Sequence, residues 1–423
     1  MNNGLIIAAP TSGSGKTTIT LGILRALKRA GQNVRGAKSG PDYIDPRFHE
    51  AACGAPCVNL DAWAMSPGRI SSLASGDGLL IIEGAMGLFD GAPPDGKGAT
   101  ADLSRMLNLP VILVIDAAKM AQSVAPLVAG FANHDTEVPI SGLILNNVGS
   151  ARHEMMLRRA LLPLGIPVLG AVFRQTGIEH PSRHLGLVQA GERSDLGNYL
   201  DAVADTISAT IDLDALIRIA APIASATPSH RFPPPAQRIS IASDAAFAFA
   251  YPHLLDDWRA AGAELSYFSP LNDASPGPAD LIFLPGGYPE LHAETLASAT
   301  NFRNGMAKAA LTTQIYGECG GYMVLGDALT DANGKTHPML GLLALETSFA
   351  KRKLHLGYRN LTPLAGPFHG ALKGHEFHYA TTLRAEGPTL FKSADAEGNI
   401  LPDMGLRHGR VCGSFAHVID RAV

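Results

Sequence analysis

Short, continuously apolar runs alternate with stretches of helical period along the first half of the chain. Residues 5–9, 79–82, 111–115, 140–145 and 168–173 read as strands. Residues 17–29 place Ile19, Ile23, Leu24 and Leu27 on one face of a helix. Strands that are apolar on both faces and separated by helices imply a parallel sheet covered on both sides. The pattern breaks at residues 221–238, where five prolines fall within eighteen residues. That density excludes a helix or a central strand and predicts a linker. The alternation then restarts, with a strand at 239–242, a helix at 251–261 and strands at 281–284 and 313–316. Glycine-rich turns close the last two. The expected fold class is α/β, with two doubly wound domains at 1–221 and 239–423 joined by 222–238.

Composition narrows the class. Of 423 residues, 46% are apolar and 17% charged, as in a packed chain of two or more domains. A formal charge of −4 without a basic run offers no basis for binding nucleic acid or an anionic membrane. No apolar stretch approaches the roughly 20 residues that span a bilayer. Residues 1–10 lack the basic start and apolar core of a signal peptide, so a cytoplasmic location is expected. The four cysteines, Cys53, Cys57, Cys319 and Cys412, are too few for a disulfide framework and are expected as thiols.

Between the first strand and first helix stands Gly13-Ser14-Gly15-Lys16-Thr17-Thr18. Glycines there let backbone N–H groups turn inward around phosphate oxygens, and the helix start adds partial positive charge. Lys16 is expected at the β- and γ-phosphates and Thr17 at a magnesium ion. The standard motif carries a further glycine where this chain has Pro10. Candidate metal or substrate ligands are Asp42 and Asp45, bracketed by proline and glycine; aspartates so placed also serve as ordinary turn formers. Glu83 ends an apolar strand and so faces the crevice where such sheets bind ligands. Asp90 is a similar candidate. Asn146, after 143–145, could read a purine edge.

The second centre is Cys319, set among glycines directly after a strand. This describes a nucleophile elbow, whose following helix start is expected to lower the thiol pKa. The N–H of Gly320, with those of the Gly286–Gly287 loop, can face an oxyanion. His417 suits the role of base. His375 and His378 lack the zincin spacing, and the sequence shows no carboxylate set that would complete a zinc site with them. Cys53 and Cys57 read as structural.

These segments together are GSGKTT (13–18), GPDYIDP (40–46), IEGAMGLFDG (82–91), LPGGYPE (284–290), YGECGGYMVLG (316–326), LGYR (356–359), GHEFHY (374–379) and GSFAH (413–417). They resemble the cobyrinic and hydrogenobyrinic acid a,c-diamide synthases of corrin biosynthesis over nearly the whole chain. The resemblance implies a dethiobiotin-synthetase-like P-loop domain followed by a class I-type glutaminase. ATP would phosphorylate an acetate carboxylate of a corrinoid, and ammonia released at Cys319 would displace phosphate, first on one side chain and then on another. ATP, glutamine and Mg²⁺ are the implied co-substrates and cofactor, and a homodimer is among the assemblies allowed. By position, Asp42, Tyr43, Ile44 and Asp45 match the family's substrate and metal loop, Glu83 and Asp90 its second carboxylate motif, and Asn146 its adenine contact. Ordinary class I glutaminases carry a glutamate two residues past the histidine. Ile419 stands there in this chain, which leaves the partner that orients His417 unassigned.

The opening stretch 6–18 and the stretch 57–65 look closer to proteins that amidate the cobalt-free substrate. A cobalt-containing substrate, a nickel-sirohydrochlorin diamide synthase and a cobyric acid synthase are the neighbouring readings. A P-loop switch protein with an inactive glutaminase domain is the remote one. Arg183, His184, Lys351, Arg352, Lys353 and Arg359 are candidate partners for a polycarboxylate, although a solvated charged face is the ordinary reading of 351–353.

Overall fold

The computed structural model describes residues 2–174, 182–183, 186–187, 189–193, 195–224 and 230–422. They form two compact units, Met1–His230 and Arg231–Val423.

The first unit is built on a sheet in the order Val58–Leu60, Val34–Ser39, Gly78–Glu83, Asn2–Ala8, Val111–Asp116, Ile140–Val148, Val168–Phe173. All of these neighbours pair in parallel. Leu5, Ile6, Ile7, Ile81, Ile82, Leu113, Val114 and Ile144 are fully buried, each contributing about 1.5–3 kcal/mol through removal from water. The helix Lys16–Arg29 buries Ile19, Ile23, Leu24 and Leu27, the face expected from the sequence. Gly22 lets it lie close to the helix Leu196–Thr210, since a Cβ there would overlap Ile207 Cγ1 and stand 2.9 Å from Val203 Cγ1. That contact fixes the helix whose start is the phosphate loop.

The proline-rich stretch does not begin as a free linker. Ala221–Pro222 pairs antiparallel with Gly4 and Asn3 at the start of the first strand. Only two residues pair, at the end of the sheet, where a missing proline N–H is tolerated.

The second unit carries a six-stranded sheet in the order Glu264–Phe268, Arg238–Ala242, Leu281–Leu284, Gln314–Glu318, Val411–Ser414, Leu406–His408. The first five run parallel and the last antiparallel. Beside it stand a four-stranded sheet and a five-stranded sheet that the apolar alternation does not reveal. The five-stranded sheet holds His355–Pro363, Leu372–His378 and Ala416–Arg421 in adjacent antiparallel register. His355–Pro363 is half-exposed and mostly polar, so it lacks the continuous apolar run of a buried strand. Among the described residues, no helix is long and apolar enough to cross a membrane.

Candidate active sites

Residues 10–15 turn between the first strand and the helix Lys16–Arg29. Gly15 takes a left-handed φ of 86°, and a Cβ there would overlap Asn146 Nδ2. The Asn146 amide itself donates to the Ser14 carbonyl at 2.9 Å, so this side chain braces the loop. Lys16 Nζ donates to the carbonyls of Met86 (2.6 Å) and Thr11 (3.3 Å). Burial lowers the Lys16 pKa, against the pull of Glu83.

Lys38 and Glu83 face each other in register at the ends of neighbouring parallel strands. Glu83 is completely buried. Its Oε1 accepts from Thr17 Oγ1 (2.6 Å) and Lys38 Nζ (2.8 Å), and His49 Nε2 lies 2.6 Å from its Oε2. Lys38 Nζ also donates to Asp45 Oδ2 at 2.6 Å and stands 3.8 Å from Asp42 Oδ2. Burial alone would raise the Glu83 pKa, but the Lys38 ammonium and His49 hold it well below the usual carboxylate range. Burial would likewise discharge Lys38, but Asp45 and Glu83 keep it charged. Burial and the Asp45 charge push Asp42 up to about 7.

The sequence reading placed Thr17, Asp42, Asp45 and Glu83 together and missed Lys38 and His49. The signal for Lys38 was a lysine next to the last residue of the strand Val34–Ser39, four positions before Asp42. Cys57 Sγ lies 3.4 Å from His49 Nδ1, which gives this cysteine a place behind the site. Asp42 Oδ1 accepts from the N–H groups of Ile44 (2.8 Å) and Asp45 (3.3 Å), and Asp90 Oδ2 from Gly87 N at 2.9 Å. Each of these two acids thus also closes its own turn. Tyr43 and Ile44 are buried and present little side-chain surface to a ligand.

Cys319 joins the strand Gln314–Glu318 to the short helix Gly320–Leu325 with φ 47° and ψ −106°. A non-glycine residue in this region marks a strained elbow. Its N–H donates to the Ser414 carbonyl at 2.8 Å, and its thiol points to the Phe377 carbonyl at 3.8 Å. The expected lowering of its pKa is not realised. Burial and then the Glu290 charge push the thiol far up, outweighing the Gly320 N–H that favours thiolate. A six-residue helix and one N–H do not offset full burial.

The point where a Gly286 Cβ would stand lies 2.9 Å from His417 Nε2 and 3.3 Å from Cys319 Cβ. His417 and Cys319 therefore flank this glycine. A Cβ on Gly320 would stand 3.0 Å from Gly287 N, so the Gly287 and Gly320 backbones also meet beside the thiol. Gly286→Ala would drive a methyl into His417 Cε1. Its expected effect is a loss of glutamine-dependent turnover of roughly 10²-fold or more, the scale of a misplaced catalytic group, with ammonia-dependent turnover kept. Steady-state rates with each nitrogen source check this, and equal losses would overturn it.

The strand Leu372–His378 aligns His375 with His417. Burial and the nearby His417 lower the His375 pKa to about 3, so this imidazole is neutral at physiological pH. His355, Glu376 and His378 bring ligand atoms within 4.8 Å of one another, a carboxylate-containing set that the sequence did not show. Glu376 is already held by Arg359 Nε (2.9 Å) and Nη2 (2.6 Å) and by His378 Nε2 (3.0 Å). Its charge is met without a metal, and Arg359 is committed to it. The Arg183 side chain and His184 lie outside the described residues.

Residues 5–188 match the CobQ/CobB/MinD/ParA nucleotide binding domain, and residues 238–422 match the CobB/CobQ-like glutamine amidotransferase domain. The chain is 57% identical to a hydrogenobyrinate a,c-diamide synthase of Brucella anthropi over 99% of its own length and 98% of the relative's. The same name and coverages attach to a Brucella suis protein at 57% identity. A Rhizobium meliloti protein of that name is 52% identical over 99% of both chains. The motifs of both centres fall within these matched spans, and the chain belongs to the family of hydrogenobyrinate a,c-diamide synthases.

Proposed function

We propose that this chain converts two acetate carboxylates of hydrogenobyrinic acid to amides, using ATP and glutamine. The observation that carries the reading is the pairing, in one chain, of a phosphate loop faced by buried carboxylates with a strained Cys319 flanked by His417. The substrate is taken from the relatives that match the chain over nearly its full length.

In the second unit, Cys319 Sγ attacks the glutamine side-chain carbonyl carbon while His417 takes the thiol proton. His417 returns that proton to the leaving nitrogen, which departs as ammonia and leaves a γ-glutamyl thioester. Water then releases glutamate and restores the thiol. Gly287 and Gly320, with Gly286, supply backbone N–H groups to the oxyanion. The high thiol pKa means that proton transfer accompanies attack, so the free enzyme does not store a thiolate.

In the first unit, a substrate carboxylate oxygen attacks the γ-phosphorus of ATP, giving an acyl phosphate and ADP. Ammonia then attacks the acyl carbon, phosphate leaves and a proton is released. Lys16, Thr18 and the N–H groups of residues 13–17 hold the phosphates. Lys38, fixed by Asp45 and Glu83, presents the positive charge that the substrate carboxylate and transferred phosphoryl group require. Thr17 and Glu83, with Asp42 at the edge, form an all-oxygen donor set that fits Mg²⁺. When bound, that ion would neutralise negative charge on the nucleotide's phosphates. Asn146 keeps the loop closed beneath the nucleotide.

The test is incubation of the protein with hydrogenobyrinic acid, Mg-ATP and glutamine, following ADP and product mass. Two hydroxyl-for-amino exchanges per molecule are expected, with two ADP. ADP release only with the cobalt-containing acid would move the substrate assignment. Absence of turnover on either acid would overturn it.

A further inference from the structure

We infer that Glu318, the residue immediately before the nucleophile, is the carboxylate that orients His417. The inference rests on the reading of Cys319 and His417 as the glutaminase pair. Position 419, two past the histidine, holds a fully buried isoleucine. Residue 419 is the extra residue where the pairing of Ala416–Arg421 with Leu372–His378 shifts register, between Val418 opposite Gly374 and Asp420 opposite Lys373. The usual carboxylate position is thus filled by an apolar side chain.

Glu318 reaches the imidazole from the strand Gln314–Glu318 of the six-stranded sheet. Its Oε2 stands 3.6 Å from His417 Nδ1, with the two side chains 4% and 0% exposed. Its Oε1 accepts from Val418 N at 3.1 Å and from Tyr316 Oη at 3.0 Å. These two bonds fix the carboxylate against the residue next to His417 and leave Oε2 turned toward the ring. A distance of 3.6 Å is longer than a hydrogen bond. It suits a resting site whose contacts shorten when the imidazolium forms, as catalytic pairs do on binding substrate. A buried carboxylate at Nδ1 holds the tautomer that leaves Nε2 free to accept a proton, and Nε2 is the ring nitrogen nearer the Gly286 Cβ position, which Cys319 Cβ also flanks. Tyr251 packs edge-on at 6.4 Å between centroids, and His375 is the register neighbour. Glu318 accepts no proton in the reaction; it is a positioning residue.

The experiment compares Glu318→Gln, Glu318→Asp and Cys319→Ala with the full-length parent. Glutamine kcat and KM, ammonia-dependent turnover and thermal midpoint are measured for each. The glutamine is nearly isosteric and retains an oxygen for Val418 N and Tyr316. Its expected kcat with glutamine falls by roughly 10²–10⁴-fold, the range set by neutralising such a carboxylate. KM for glutamine is expected within threefold of the parent. Ammonia-dependent turnover persists. Glu318→Asp keeps the charge at longer reach and is expected to recover at least tenfold over the glutamine variant. Equal loss in both variants, or parallel loss with both nitrogen sources and a lowered midpoint, would reduce Glu318 to a structural residue. Parental kcat in Glu318→Gln would also overturn the inference. If Cys319→Ala kept glutamine-dependent turnover, the glutaminase reading itself would fail instead.

Discussion

Cys319→Ala is expected to lose glutamine-dependent amidation by roughly 10⁴-fold or more, the scale seen when a catalytic nucleophile is removed, while ammonia supports the parental rate. The separation follows from the architecture. Cys319, His417 and the Gly286–Gly287 loop all lie within Arg231–Val423, and the phosphate loop with its carboxylates lies within Met1–His230. Replacing a sulfur by hydrogen at a buried elbow removes the nucleophile without adding volume. The backbone N–H of residue 319 still reaches Ser414 O. Rates with glutamine and with ammonium chloride at raised pH, where more free ammonia is present, measure the two halves separately. Loss of both would mean that the first unit depends on the elbow in a way this reading does not contain. Retention of both would remove Cys319 from catalysis.

Much of this arrangement was legible because the chemistry sits at strand ends. Leu79 to Ile82 is apolar without interruption, so the acid that follows was expected at the end of the strand, and Glu83 stands there beside Thr17. Cys319 among glycines after a strand could be read the same way. What sequence spacing did not supply was pairing between distant strands. Lys38 acquires its meaning only when the strand Val34–Ser39 is set in register beside Gly78–Glu83. Glu318 lies inside a recognised motif, yet its partner is about a hundred positions away in a strand of another sheet. The four- and five-stranded sheets of the second unit were hidden for a related reason: strands such as His355–Pro363 and Thr381–Glu386 are half-exposed and carry no continuous apolar run. The thiol pKa was misjudged because a helix start is visible in sequence and full burial is not.

Lys38→Met is expected to abolish synthesis with both nitrogen sources and to destabilise the first unit in a pH-dependent way. In the parent, Lys38 is the counter-charge shared by Asp42, Asp45 and Glu83. Removing one partner of a buried ion cluster typically costs about 3–5 kcal/mol, because the remaining charges are left without compensation. The sign with pH follows from Glu83. Its folded pKa is depressed, so in the parent its contribution to stability is present at neutral pH and is lost as pH falls through the carboxylate range. Without Lys38, burial acts on Glu83 with His49 and Thr17 as its remaining hydrogen-bond partners, and its folded pKa is expected to rise above the unfolded value. Its contribution then weakens as pH rises out of the carboxylate range. Asp42, already raised to about 7 by burial and Asp45, moves further in the same direction. The midpoint difference between parent and Lys38→Met is therefore expected to be present at pH 5 and larger at pH 8. Thermal unfolding at both values, with ADP release under ammonia as the activity readout, tests the two parts together. A loss of equal size at both pH values would mean that methionine fails through packing and not through charge. Normal ADP release in a folded variant would take Lys38 out of the phosphoryl-transfer step.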